Sequence, residues 1–539
     1  MTMLDSRPDR RSQFLLLYFV LICSFSVAWL PQSTARAQET ALPADVSDGQ
    51  ETELPMQAIW RFGDEPDANG IHRLAYSRDG KLLATRNRRN IVSIYDVTTQ
   101  KRLCEVDGHE NNWVVTIDFS PDSSFFLTSA GPSEKVKVWK SQTGKLESEI
   151  DTDGIAAYFN RGGTAIHVFG ETHVETYSWP GVQLISQRKW KTSTDVRAGM
   201  SQDGRIVASY RRINRQVYRT QVVDLETKSK IQLDGPTGIP KPVAISPDGF
   251  WIAAAYRGDG KVRLWDLRDP HQKKYSLVQH DETVQSLSFS ADSRFLLSSG
   301  YDKKVVLWDL LTRQEVAQFT GHTERVNATA FSPLDLTIAS GASGNSDTST
   351  IVWDLKRDLF QREDVDQSQS FDQVWIRLGA NTLNDSLVAT SQLILGGEEF
   401  LDLLEEQVET ILKPKSTGAI DESVKLLNHP EWEVREKTTL QLLTIRAEAD
   451  AELRLALEQA TSPEIRCRLS RILKKKVTRP KSSVVDLRRW NRVVFALEQI
   501  NTDRTQNILR QLGDNSADLD VALDARAAFE RNQLRNETN

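Results

Sequence analysis

The chain has 539 residues, 39% of them hydrophobic and 26% charged, and carries 13 tryptophans. That length and balance exclude a disordered polymer or a membrane-filling protein and leave room for two or three domains with sizeable cores. With 68 Lys and Arg against 74 Asp and Glu, the formal net charge is −6, which excludes a bulk attraction to nucleic acid.

The N-terminus reads as a secretory signal. Arg7, Arg10 and Arg11 precede an apolar run at 14–30, and Ala35-Arg36-Ala37 offers a small-x-small cleavage site. Residues 1–37 are therefore expected to be removed and the protein exported to a periplasmic or extracellular space. The alternative is an uncleaved anchor formed by residues 14–30. Of the three cysteines, Cys23 lies in the signal, while Cys104 and Cys467 fall in different expected domains; stability must then come from the core and not from a disulfide framework. Residues 38–55 are acidic, hold Pro, Ser and Gly, and lack an apolar period, the composition of a flexible spacer.

From Met56 the character changes to short alternating apolar runs separated by Gly, Asn, Asp and Ser, the signal for many short strands. One phrase recurs, an apolar-x-apolar-aromatic strand ending in an acid, as in Val262-Arg263-Leu264-Trp265-Asp266 and Val305-Val306-Leu307-Trp308-Asp309. Tyr95, Trp139, Trp179, Val223, Trp265, Trp308 and Trp353 mark seven copies at intervals of 44, 40, 44, 42, 43 and 45 residues, the length of a four-stranded blade. Upstream of the markers lies a second phrase, a strand running into a Pro/Asp/Gly turn, as in Ala244-Ile245-Ser246-Pro247-Asp248-Gly249 and Ser288-Phe289-Ser290-Ala291-Asp292. The seventh copy has no outer strand after Trp353-Asp354-Leu355, and residues 56–62, with Ala58, Ile59, Trp60 and Phe62, can supply one.

These phrases, with the pairs Gly108-His109 and Gly321-His322, strongly resemble the WD-repeat family over about 300 residues, with blades 3 and 4 degraded. The resemblance implies an all-β seven-bladed propeller at 56–357, with the ring latched by the N-terminal strand. It also implies a structural set in which a histidine, a Ser/Thr, an acid and the strand tryptophan share hydrogen bonds: His280, Ser298, Asp302 and Trp308. His109, His322, Trp139, Trp265 and Trp353 take corresponding structural places. In this family partners commonly dock on loops leading into each blade's innermost strand. Those positions include Trp113, Thr283 and Arg325, and the loops before the tryptophan strands add Arg86, Arg257, Tyr301 and Lys303; aromatic and arginine residues are the usual energetic anchors of such surfaces.

A polar linker is expected at 358–370. Beyond it apolar residues recur at three- and four-residue spacing, predicting an all-α domain at 371–539. Pro430-Glu431-Trp432-Glu433-Val434-Arg435 and Ser462-Pro463-Glu464-Ile465-Arg466, 31 residues apart from Val434 to Ile465, suggest HEAT-like repeats. Of two basic clusters, the one at Arg211, Arg212, Arg215 and Arg219 reads as a solvated outer face or, alternatively, a site for an acidic or anionic partner, and the one at Lys474-Lys475-Lys476 as a helix end.

No haem-attachment, zinc-protease, nucleophile-elbow or phosphate-loop motif occurs, and His167 and His173 lack companions for a metal site. The chain is therefore expected to be a monomer without catalysis, metal or cofactor. It would serve as a protein–protein interaction scaffold of the cell envelope, binding other proteins and no nucleic acid. A ligand-binding or enzymatic propeller, with its site at the central channel, is the alternative.

Overall fold

Alternating apolar residues on strands of four to seven residues fold back at turn-forming residues, so each copy of the repeat becomes one antiparallel sheet. The computed structural model describes residues 54–538 except for internal stretches, the longer ones being 64–69, 190–198, 213–217, 360–367, 413–418, 445–452 and 475–483. The expected signal at 1–37, the residue 14–30 anchor and nearly all of the spacer at 38–55 lie outside the described residues.

Seven four-stranded sheets form the blades of a propeller. The third strands are Val92–Asp96, Val136–Lys140, His173–Ser178, Tyr218–Asp224, Lys261–Asp266, Val305–Asp309 and Thr350–Asp354. Six of the seven markers sit on them, and Trp179 follows directly after its strand. Blade 4, degraded in sequence, has an innermost strand of only two residues, Gly199–Met200. Each junction between neighbouring blades is filled by its own apolar cluster, for example Trp251, Val262 and Leu264 against Leu296, Val306 and Trp308 between blades 5 and 6. Between blades 2 and 3 the cluster joins Leu127 and Val138 to Phe159 and Ile166.

Ring closure follows the exchange expected from the sequence. The first strand, Ala58–Phe62, pairs antiparallel with Thr350–Asp354, with Trp60 opposite Val352 and Phe62 opposite Thr350. It is thus the outer strand of blade 7. Trp60 stacks on Phe62 with ring centroids 4.0 Å apart, and Phe62 meets Tyr95 of blade 1 at 4.3 Å, which ties the first blade to the last.

All blades run from inner to outer strand, so their first and third turns emerge on one face, while the second turns and the blade-to-blade connections emerge on the other. Turn-to-turn bonds mark the first, or turn, face: the Asp79 N–H donates to Ser123 Oγ at 3.3 Å and the Asp248 N–H to Ser293 Oγ at 3.2 Å. Ser123 and Ser293 hold left-handed φ of 59° and 58°, where other blades use Gly80, Gly163 and Gly249. Their hydroxyl bonds to the preceding blade compensate for that strain.

Beyond the ring come α1 (Lys356–Leu359), α2 (Phe371–Leu378), α3 (Leu383–Leu395), α4 (Gly397–Ile411), α5 (Ala419–Leu426), α6 (Trp432–Thr444), α7 (Pro463–Lys474), α8 (Val484–Ile500), α9 (Asp503–Asn515) and α10 (Leu519–Thr538). The linker expected at 358–370 starts too early, because Leu359 is fully buried in the cluster that joins blades 6 and 7 to Leu387 and Phe495. The helices hold two cores. Val374, Leu404, Trp490, Leu509 and Ala525 belong to one, whereas α5–α7, where the two proline-headed phrases fall, enclose Leu427, Leu442, Leu453, Leu469 and Ile472.

The larger helical bundle is seated on the turn face. Phe495 of α8 meets Phe295 of blade 6 at 5.8 Å, under the Arg294 guanidinium at 4.3 Å. The Leu383 N–H donates to Gln314 at 3.0 Å, and Arg535 of α10 donates to the Leu334 carbonyl of blade 7 at 2.6 Å. Glu530, also on α10, pairs with Arg161 of blade 3. Blade 3 lies across a seven-membered ring from blades 6 and 7, so α10 passes over the mouth of the central channel on this face. No helix among the described residues is long and apolar enough to cross a membrane.

Two outcomes test this arrangement. Deletion of residues 50–64 removes the closing strand, and calorimetry should show the single cooperative unfolding transition lost. Second, burial, reinforced by the neighbouring Asp248 carboxylate and only partly offset by a bond from Asn491, raises the Asp524 carboxyl to about 7. An acid whose folded pKa lies above its unfolded value loses stability as pH rises between the two, here from about 4 to about 7. Asp524→Asn should therefore be more stable than the parent by about 1–2 kcal/mol at pH 8, with the gap closing toward pH 4 in denaturant titrations.

Candidate functional site

The open face is built by the second turns and the blade-to-blade connections, and buried hydrogen bonds fix their positions. In blade 6 the Trp308 indole N–H donates to Ser298 Oγ at 2.8 Å, and the same hydroxyl lies 2.7 Å from His280 Nε2. His280 Nδ1 lies 2.9 Å from Asp302 Oδ2. A hydroxyl has one proton and can accept another, so the chain of donors runs indole to serine, serine to imidazole, imidazole to carboxylate, and a neutral histidine satisfies every group. Blade 7 repeats it with Trp353, Ser340, His322 and Asp347 at 2.8, 2.8 and 2.9 Å. Burial opposes the Asp347 carboxylate, but bonds from His322 and Ser349 outweigh it and hold the group far below the usual range.

In blade 2 Trp139 and His109 share Thr128 Oγ1 at 2.9 and 2.8 Å, but the acid is Glu134, 3.5 Å from Nδ1. Blade 5 has Ala254 in the hydroxyl's place, and Trp265 packs against Ile252, Ala254 and Tyr256 in its cluster. The Gly-His pair has a steric reason. A Cβ on Gly108 would lie 2.5 Å from the Trp139 ring, and one on Gly321 3.0 Å from Trp353, so only glycine lets the connection lie against the indole.

The expected contact residues divide. Thr283, Arg257, Tyr301, Lys303 and Arg325 all lie on the open face. Tyr301 is 38% exposed, and the Arg325 guanidinium sits 5.4 Å from its ring centre. Lys303 takes a left-handed turn position at φ 67°, and Thr283 accepts from the Gly258 N–H at 3.1 Å, joining the turn that bears exposed Arg257 to the next connection. Arg86 is a correction. It lies within the strand Leu82–Asn87, 4% exposed, and donates to the Val114 carbonyl at 2.9 Å, because its alternation points it into the blade 1–2 junction. Trp113 lies outside the described residues, as do the side chains of Arg211, Arg212, Arg215 and Arg219.

Sequence reasoning missed one feature. Innermost strands of blades 1, 5, 6 and 7 carry bulges, and the bulged residues of blades 1 and 7, His72 and Asn327, meet at 3.5 Å. Bulges re-aim side chains and cluster at functional edges. A bulge has no local sequence signature; the run Arg86-Asn87-Arg88-Arg89 beside it was the visible signal.

The protein thus falls in the class of seven-bladed β-propellers followed by a helical region, and four of its blades match WD40 repeats. Residues 100–140, 242–266, 271–309 and 313–354 match the family described as WD domain, G-beta repeat, and these are the blades bearing Trp139, Trp265, Trp308 and Trp353. The WD repeat-containing protein WDS homolog of Arabidopsis thaliana is 24% identical over 296 residues, 53% of this chain and 48% of that protein. The protein transport protein SEC31 of Kluyveromyces lactis is 25% identical over 365 residues, 64% of this chain and 27% of its own. The methylosome protein WDR77 of Xenopus laevis is 27% identical over 123 residues, 22% and 35% respectively. The chain thus spans half or less of the length of these relatives.

Ser340→Ala leaves the indole and imidazole without their shared partner and should lower stability by about 1–3 kcal/mol with an unchanged denaturant slope. Asp347→Asn should be more harmful than Glu134→Gln, whose parent contact is longer; equal losses in urea titrations would show that the acid is dispensable to the set.

Proposed function

We infer that the protein is a non-catalytic scaffold of the cell envelope that binds other proteins through the loops of its open face. WD-repeat relatives are generally protein-interaction scaffolds, and among the described residues no three His, Cys, Asp or Glu side chains gather as a metal site would require. The observation that carries the reading is the seating of the helical bundle. The bundle occupies the turn face at blades 3, 6 and 7 and α10 crosses the channel there, so the face carrying Thr283, Arg257, Tyr301, Lys303 and Arg325 is the more open one for a partner. An aromatic ring with a guanidinium over it is the kind of rigid anchor that dominates binding energy. Export rests on the N-terminal signal features, and the HEAT-like α5–α7 core, with Trp432 61% and Leu440 57% exposed, provides a second contact surface.

A photo-crosslinking residue in place of Tyr301, and separately in place of Arg161 on the turn face, tests this in the protein's own cells. Discrete partners should be recovered from position 301 and not from 161, on a chain whose isolated form begins at Gln38. The same proteins from both positions would overturn the assignment of the face, and a chain retaining residues 1–37 in the membrane fraction would replace export with anchoring.

A further inference from the structure

At the junction of blades 7 and 1 the open face collects positive charge in a chain whose net charge is −6. Arg73 and Arg86 are direct partners across the ladder of blade 1, an arrangement of like charges that destabilises a sheet unless something offsets it. Both are anchored on the far side of blade 1, at its junction with blade 2, Arg73 Nε donating to the Val115 carbonyl at 3.0 Å and Arg86 to Val114, so their charge is fixed beside the 7–1 junction and not in it. Arg88 follows on an exposed turn. From blade 7, Arg325 reaches Tyr301 with its buried Nε lacking a hydrogen-bond partner among the described residues. His72, bonded to Ser343 at 3.2 Å, lies among them; burial first, then Arg86, Arg325, Arg73 and Arg88, push it down to about 4, so it stays neutral and adds no charge of its own near pH 7.

We propose that this junction is the seat of an acidic peptide segment of a partner protein, its carboxylates contacting Arg88 and Arg325 with Tyr301 at the flank, in the field of Arg73 and Arg86. The proposal rests on the open face being the partner surface. Planar guanidinium groups match carboxylates bidentately, and a fixed cationic field attracts an anionic segment before contact. A nucleic acid fits less well. Its affinity needs many phosphate contacts along a track, and the track beyond this junction, toward blades 5 and 6, meets the exposed carboxylate of Asp281.

Fluorescence anisotropy of a labelled short polyglutamate peptide with the purified protein tests it, with a polylysine peptide and a single-stranded oligonucleotide of equal charge as the other arms. Polyglutamate should bind with an affinity that falls as salt rises, and Arg88→Glu combined with Arg325→Glu should weaken it about tenfold or more, while Arg161→Glu on the turn face leaves it unchanged. Because Arg325 is half-buried, exposed Arg88→Glu alone and the milder Arg325→Gln are measured beside the double variant, each with its melting curve. Absent polyglutamate binding, full binding by folded variants, or equal binding of the oligonucleotide would overturn the proposal. Crosslinks from position 301 that persist in the folded double variant would sink the acidic peptide while leaving the scaffold standing; no crosslinks at all would sink the scaffold reading.

Discussion

An indole buried between two sheets brings one N–H with it, and that proton must have an acceptor or the burial costs roughly 1–3 kcal/mol. In blades 6 and 7 the acceptor is a serine hydroxyl on the second strand, and its own proton then needs a home, which the connection supplies as a histidine backed by an aspartate. Core and surface are therefore one hydrogen-bonded object. The tryptophan that wedges the blades also draws the blade-to-blade connection inward, and the loops of the open face hang from that fixed point. Where the hydroxyl is missing, as at Ala254 of blade 5, the indole sits in an apolar cluster with Ile252 and Tyr256 instead.

Much of this was legible because it is local. Marker spacing, the turn residues and the missing outer strand of the seventh copy are all written in short windows, and they place the sheets, their number and the ring closure. The matched family segments explain the closure physically: three of the four, 100–140, 271–309 and 313–354, start with the outer strand of one blade and end with the third strand of the next, so the last blade must borrow. Arg86 was misplaced because strand ends shift by a residue or two and one step turns a side chain to the other side of the sheet. The acid in blade 2, Glu134, departs from the aspartate of its neighbours and its looser 3.5 Å contact could only be measured. The bulges at His72 and Asn327 and the seating of α8 and α10 depend on residues far apart in sequence, which no window contains.

The seam between propeller and helices is unusual in what it buries. Arg294 of blade 6 and Arg492 of α8 are 3% and 0% exposed. Arg492 donates to the Ala380 carbonyl at 2.8 Å and also to the Leu378 carbonyl, and burial with the nearby Arg294 charge pushes its guanidinium down to about 10. Charged groups taken out of water in this way specify one orientation more than they strengthen it, while Phe495 between Phe295 and Arg294 supplies the attraction. Glu498 of α8 and Arg531 of α10 join by two parallel bonds of 2.8 and 2.7 Å, which tie the two helices at the seam to each other.

The strand at Ala58–Phe62 has a consequence for how the molecule comes into being. Looping the chain so that its first strand meets its last is thermodynamically mild, since each doubling of loop length costs only about 0.6 kcal/mol, but it is late: a ribosome releases the clasp long before the strand it must grip. Until then both rims of the unfinished wheel are bare and able to recruit the strand of another molecule. Holding that interval short, or guarding it with a chaperone, is the demand this architecture makes on the cell that produces it.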